Sequence, residues 1–277
     1  MRTYKCLCNT SDSPIILTRS VPIDAEFESR NTDYSIESLK EAIQGADAVV
    51  HLAAKRGTTM DVNDYFQNAV ITQNLYKSCA DLGIKNIVFI SSIAVYSDEK
   101  AIPWKEQDVT PKTVYGSIKL LCENIGNIYH DKFGLNIKSL RLGQVLGEGE
   151  VKGMMNTFID RAYEKEELTV TGRSISKREF VYVKDVVDAV LLSLEKPQIH
   201  GSFNIGSNES YSNLEIAEAV NEVFDNIDNL SYDDSIPETI ESSMMDSSFA
   251  SRIIGYEPKW TLKEALKDIK ISKQNIE

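Results

Sequence analysis

Asn86-Ile-Val-Phe-Ile-Ser-Ser-Ile-Ala-Val-Tyr96 opens as a short β-branched and aromatic run and breaks into two serines. A run of that length, bounded by polar residues, predicts a buried strand ending at Ser91. Upstream, Asp64 to Leu82 has helical apolar spacing and stops before Gly83. Ala48-Val-Val-His-Leu52 repeats the strand pattern after a helical Ser35–Gln44 and Gly45, and Pro14-Ile-Ile-Leu-Thr18 is a third such run. Downstream, Thr113 to Phe133 predicts a long helix stopped by Gly134, with Leu135-Asn-Ile-Lys-Ser-Leu-Arg141 as the next strand. Glycines just past each helix suit left-handed C-caps. The alternation predicts an α/β fold with a parallel sheet covered by helices on both faces.

Beyond Gly147 the pattern turns irregular. Helices are predicted near Met154–Glu164 and Val183–Leu194, with a strand near Leu168–Val170 between them. A short strand from Phe203, a helix at Asn213–Phe224, a polar acidic stretch at Asp225–Ser248 and a closing helix near Leu262–Ile269 complete the chain.

The 277 residues, 42% of them hydrophobic, suffice for a full core in one large domain with or without a smaller lobe. A net charge of −12 argues against nucleic acid as a partner, because a phosphate backbone is bound by clustered cations. No apolar run approaches the roughly 18–20 residues that span a bilayer, and no signal-peptide core follows Met1, so no membrane contact and a cytoplasmic location are expected. Of the four cysteines, Cys6 and Cys8 lack a second pair or a histidine nearby to complete a metal shell, so no metal is expected. Cys79 and Cys122 fall in apolar helical patterns and read as small buried side chains.

Open α/β sheets bind ligands outside the carboxyl ends of their strands, which singles out His51–Arg56, Ser91–Tyr96 and Arg141–Gly147. Tyr115-Gly-Ser-Ile-Lys119 sets a phenol and an ammonium on one helix face, where the lysine charge is expected to favour tyrosinate and make Tyr115 a proton acceptor. Tyr96-Ser-Asp-Glu-Lys100 has the same spacing but runs through an acidic loop, so no helix holds its two ends together.

Val88-Phe-Ile-Ser-Ser-Ile-Ala-Val-Tyr96, then Pro111-Lys-Thr-Val-Tyr-Gly-Ser-Ile-Lys119 with Glu123, resembles the active-site stretch of extended short-chain dehydrogenases/reductases of the NAD-dependent epimerase/dehydratase type. Gly45-Ala-Asp-Ala-Val-Val-His-Leu-Ala-Ala54, Asn68-Ala-Val-Ile-Thr-Gln-Asn74, Arg178-Glu-Phe-Val-Tyr-Val-Lys-Asp185 and Phe203-Asn-Ile-Gly206 resemble the remaining blocks, in the family's order, over roughly residues 12 to 268. The resemblance implies a Rossmann-like doubly wound parallel sheet, N-terminally truncated. Residues 1–147, with returning segments near 180–206, would form the dinucleotide-binding domain and 148–277 mainly a smaller substrate-binding lobe. It further implies that Ser92 bonds the reacting sugar oxygen, Tyr115 moves the proton, and Lys119 holds the nicotinamide ribose and lowers the Tyr115 pKa. Asp33 would meet the adenine, Ala53, Ala54 and Arg56 would lie along the NAD cofactor with Asn68 in support, and Gln144 and Arg178 would bind the nucleotide-sugar substrate. A planar bidentate donor such as Arg178 suits a diphosphate. Read without the resemblance, Ser91 and Ser92 could cap a helix start, Asp33 could belong to a turn and Arg178 to a surface ion pair.

The implied activity is that of a sugar-nucleotide epimerase of the UDP-glucose or UDP-N-acetylglucosamine 4-epimerase type, working through transient oxidation to a ketosugar. A reductase or dehydratase of the same family is the alternative, although Ile93-Ala94 stand where a 4,6-dehydratase carries an acidic pair. A two-fold homodimer through the Tyr115 helix and the one before it is also implied. The family opens with a strand, a glycine-rich turn and a helix that receive the pyrophosphate. Met1 to Ser13 contains no glycine, so a gap in the sheet, weak cofactor binding and reduced stability are expected unless those residues fill the slot. A catalytically impaired binding or dimerisation protein is the reading this favours, and an in-frame glycine-rich segment upstream of Met1 would remove the discrepancy. Thr18-Arg-Ser20 lacks the acidic residue that bonds an NAD ribose, and Arg19 leaves NADP open beside NAD.

Overall fold

A computed structural model describes residues 13–19, 28–147, 153–237 and 241–274. Cys6, Cys8 and the rest of the glycine-free opening up to Asp12 lie outside the described residues, so the expectations placed on them are not addressed. In chain order the elements are β1 (Ile16–Thr18), β2 (Ser29–Asn31), α1 (Ile36–Ile43), β3 (Ala48–His51), α2 (Phe66–Leu82), β4 (Asn86–Ile90), α3 (Val114–Phe133) and β5 (Asn136–Leu142). Then follow β6 (Gln144–Leu146), α4 (Met154–Tyr163), β7 (Leu168–Thr171), β8 (Lys177–Tyr182), α5 (Val183–Leu194) and β9 (Gly201–Ile205). The chain closes with β10 (Ser210–Ser212), α6 (Asn213–Val223), β11 (Leu230–Asp233), α7 (Ser248–Ile254) and α8 (Leu262–Gln274).

Two compact units result, one from Met1–Ser97, Val109–Arg141 and Val187–Phe203, the other from Asp98–Asp108, Leu142–Val186 and Asn204–Glu277. In the first, a sheet of order β3-β4-β5-β9 carries the expected parallel pairing, with Ala48 opposite Asn86 and Asn86 opposite Asn136. Its helices stop where the glycines direct: Gly83 and Gly134 take left-handed conformations and return their N–H groups to the last turns of α2 and α3. Leu39, Ile43, Tyr76, Cys79, Ile87, Phe89, Cys122 and Ile137 form its core. Burial pushes the Cys79 thiol up to about 12, which leaves it an inert packing group.

Among the described residues the parallel strands of this unit fall in two sheets. β1 pairs with β2 in a separate two-stranded sheet, and among the described residues no strand pairs with the other edge of β3. Ile87 and Val88 of β4 are fully buried, and Ala48, Val49 and Val50 of β3 are half-buried.

The second unit has its own core of Leu146, Phe158, Leu168, Val170, Ile216, Val220, Phe224 and Leu266. β8 pairs with β6 in parallel and with β10 in antiparallel sense, and β11 pairs with β7. β11 lies inside the stretch read from sequence as irregular and acidic, and α8 runs five residues past its expected end at Ile269. Ser212 opens α6 with a capping box closed by Glu215. Among the described residues no helix is long and apolar enough to cross a membrane, and no group of side chains is arranged to hold a metal ion.

Candidate active site

The carboxyl end of β4 enters a single 3-10 turn, Ile93–Val95, whose first N–H groups need an acceptor. The Ser92 hydroxyl supplies it, accepting from the Ala94 N–H at 3.2 Å. Ser92 therefore does cap a turn, and its own O–H is directed at the Tyr115 phenol. Thr113 caps α3 in the same way, accepting from the Gly116 N–H at 3.0 Å, which fixes Tyr115 in the first helical turn and Lys119 one turn later. The two segments meet closely: a Cβ on Gly116 would stand 1.9 Å from the Ala94 carbonyl oxygen.

Tyr115 is half-buried with its ring edge-on to the buried Tyr65, centroids 5.7 Å apart. Burial holds its phenol above the ordinary range, opposed by the Arg56 charge and the Ser92 hydroxyl. The Lys119 ammonium donates to the Ile90 carbonyl at 2.6 Å and lies 5.8 Å from the Tyr115 ring centroid. The sequence expectation that Lys119 lowers the phenol is thus corrected for the unliganded protein. Desolvation of the ring outweighs the nearby cations, and Lys119 spends its charge on the strand. Burial pushes Lys119 itself down to about 8, with Cys122 and Glu123 opposing. Behind it, His51 packs on Phe89 and contacts Thr72 at 2.9 Å. Because the Thr72 hydroxyl donates to the Asn68 carbonyl, His51 Nε2 is the donor in that contact. Burial, then the Lys119 charge, pushes His51 down to about 3, so it is neutral.

The loop after β3 carries Ala53, Ala54 and Arg56. Asn68 clamps it, accepting from the Lys55 N–H at 2.8 Å and donating to the Lys55 carbonyl at 2.9 Å. Tyr65 braces the same loop, its hydroxyl accepting from the Thr59 N–H at 2.9 Å and lying where a Cβ on Gly57 would come within 2.9 Å. Asp33 accepts from the Ser35 N–H at 2.8 Å, the turn role open from sequence, and also lines a cleft of about 500 Å³ with Arg19, Asn31, Thr32 and Gln67. Ser92, Tyr115, Lys119, Asn68, Ala53, Ala54, Arg56 and Asp33 therefore all fall in the first unit.

Gln144 and Arg178 fall in the second, on the paired strands β6 and β8. Arg178 is held within that unit, donating to Asn213 Oδ1 at 2.6 Å and reaching Met154 Sδ at 3.2 Å. Sequence reading missed Tyr65, Gly116 and Asn213, and assigned no role to Glu123 or Arg141. Glu123, four residues beyond Lys119 on the same face, and Arg141, at a strand end singled out above, carried a positional signal.

The model of the NAD dependent epimerase/dehydratase family matches residues 18–206. The chain belongs to this family. A solved structure of UDP-N-acetylglucosamine 4-epimerase from Bacillus cereus is similar at 38% identity with a TM-score of 0.92, covering 99% of this chain and 92% of that one. The uncharacterized UDP-glucose epimerase YtcB of Bacillus subtilis is 27% identical over 235 residues, 82% of this chain and 74% of the relative. UDP-glucuronic acid 4-epimerase from Bacillus cereus, solved with UDP-glucuronic acid and NAD, shares the fold with a TM-score of 0.86 at 23% identity, over 100% of this chain and 96% of that one. The protein is accordingly an enzyme-family α/β chain of NAD-dependent type, and its parallel sheet is the Rossmann-like one expected.

Proposed function

We propose that this protein interconverts UDP-sugars at carbon 4, with UDP-N-acetylglucosamine and UDP-glucose as the substrates to test first. The observation that carries the reading is the meeting of Ser92, Tyr115 and Lys119 where β4 ends against α3, a meeting that sheet packing alone does not require. The 38% identity to a UDP-N-acetylglucosamine 4-epimerase supports the choice of sugar.

In this reading the first unit is the dinucleotide-binding domain and the second receives the substrate. The cleft beside Asp33 and Arg19 has room for the adenosine end of the cofactor, and Tyr115 with Lys119 suits the nicotinamide ribose. The described residues hold no glycine-rich turn, so they account for the two ends of the dinucleotide and not for its pyrophosphate. Held by these residues, NAD would supply a reversible hydride acceptor for the sugar carbon. Ser92 donates its hydroxyl proton to the reacting sugar oxygen and holds it beside Tyr115. Tyr115 accepts the proton of that sugar hydroxyl and later returns it, which leaves the protein unchanged over the cycle. Lys119 supplies positive charge that favours the phenolate once a ligand draws it from the Ile90 carbonyl. Arg178, preset by Asn213, and Gln144 would hold the diphosphate end.

A cytoplasmic homodimer completes the proposal, supported by Phe66 and Leu82 of α2 and Leu121, Ile128 and Phe133 of α3, all exposed apolar side chains on the two helices concerned. The lack of a glycine-rich turn among the described residues favours one other reading, a silent dinucleotide-fold module. Purified protein with NAD and either UDP-sugar, followed by proton NMR of the anomeric signals, separates them. We expect 4-epimer to form and Tyr115→Phe to lower kcat by about 10³-fold, within the range that loss of a general base gives. No turnover and no binding at millimolar NAD or NADPH would leave the silent module.

A further inference from the structure

Glu123 is a buried carboxylate with no part in the chemistry above. It lies on the Tyr115 and Lys119 face of α3, four residues after the lysine, and is 3% exposed. Its oxygens accept from four donor atoms on three other elements. Arg141 of β5 reaches it through Nε at 3.0 Å and Nη2 at 2.6 Å, Ser91 Oγ at 2.5 Å, and Ser202 Oγ of β9 at 2.9 Å. The Arg141 Nη1 then donates to the Tyr96 hydroxyl at 2.7 Å. Ser91 and Tyr96 are the residues on either side of the Ser92–Val95 turn. The buried pair therefore grips both ends of the segment that presents Ser92, and it does so from the helix that presents Tyr115 and Lys119.

A purely structural need would not call for ions here. Burying two charges costs several kcal/mol of desolvation, and well-packed apolar residues of similar volume often stabilise as well or better. What the ions supply is direction: a forked, charge-assisted contact has one geometry, whereas an apolar contact tolerates sliding. We propose that Glu123 is a positioning residue, which through Arg141, Ser91 and Tyr96 sets the distance between Ser92 and Tyr115, and which stands as a carboxylate one turn beyond Lys119 on the same helix. The inference rests on the reading of Ser92, Tyr115 and Lys119 given above.

The charged and titratable groups around Lys119 are Cys122 and Glu123 on its own helix, Arg56 on the loop after β3, His51 on β3 and Tyr115. His51 is neutral and Arg56 opposes the ammonium, which leaves Glu123 as the one carboxylate named among these neighbours. Around Glu123 stand Arg141, Tyr96, Ser91, Ser202 and the buried Tyr76.

The test uses the full chain and three variants: Glu123→Gln, Glu123→Asp, and the repacked double variant Glu123→Gln with Arg141→Met. The expected result is a fall of about 10- to 100-fold in kcat for Glu123→Gln with KM within about threefold, the pattern of misplaced reacting groups. The alkaline limb of its kcat profile should move to lower pH, and Glu123→Asp should restore the limb. The double variant should regain thermal stability and not kcat. Recovery of both stability and kcat in the double variant would make the pair merely structural and overturn the proposal. A second readout needs no substrate: the Lys119 ammonium followed by NMR of side-chain-labelled protein should titrate at lower pH in Glu123→Gln than in the unaltered chain. An unmoved titration overturns the proposal even if no UDP-sugar is turned over, whereas a lowered titration with inactive unaltered protein supports it and rejects the substrate reading alone.

Discussion

A hydrogen atom in place of a side chain at position 116 is what lets α3 reach the turn after β4. The glycine sits in ordinary helical conformation, so its need is not conformational; it is the 1.9 Å that a Cβ would leave to the Ala94 oxygen. Gly116→Ala must therefore move the helix start or the turn, and each carries one member of the Ser92–Tyr115 pair. The variant is expected to fold, to lose a few degrees in Tm and to lose about 10-fold or more in kcat, because reacting groups displaced by an ångström or less lose much of their proximity advantage. Steady-state assays beside a melting curve check this, and kcat equal to that of the unaltered protein would show that the contact is slack. At this scale the sequence was readable for residues defined by spacing, such as Tyr115 and Lys119. It was silent on Gly116 and Tyr65, whose roles come from neighbours remote in the chain.

Element by element, long amphipathic helices and buried parallel strands were readable because each repeats its signal over many residues. Strands β2, β6 and β10 are three residues each, too short to show a period, and β11 owes its form to the edge of β7. Where elements meet, chemistry unread in the sequence follows. His200, in the turn before β9, stacks on His130 of α3 with centroids 3.9 Å apart and accepts from the Ile137 N–H of β5 at 3.3 Å. Burial, then His130, pushes His200 down to about 4, as burial pushes His51 to about 3. In the unfolded chain both bind a proton near pH 6.5; in the folded protein neither does until pH falls by two units or more. The unfolded state therefore holds more protons between those limits, and stability must fall as pH falls from about 6.5 towards 4. Urea melts at half-unit pH steps should show ΔG falling with a slope near two protons in that window, and near one in His200→Gln. An unchanged slope in the variant would mean that His200 titrates normally.

For the whole molecule, the apolar faces of α2 and α3 are the features with consequences. Leu121 and Ile128 lie seven residues apart, two turns along one face of α3, and both are exposed. A double variant, Leu121→Glu with Ile128→Lys, is expected to convert a sedimenting dimer into a monomer with its circular dichroism unchanged. A monomer already in the unaltered protein would remove the homodimer from the proposal.

The sequence by itself determined the α/β class, the boundaries of the long helices, the residues at the strand ends and the family, because these are written in local periods and fixed spacings. Tertiary structure alone decided that the phenol of Tyr115 is raised and not lowered. Desolvation depends on what packs around a group, and no spacing records it. It likewise decided that Glu123 and Arg141 join Ser91, Tyr96 and Ser202, since a buried ion pair is made by the meeting of a helix, a sheet and a turn that are far apart along the chain.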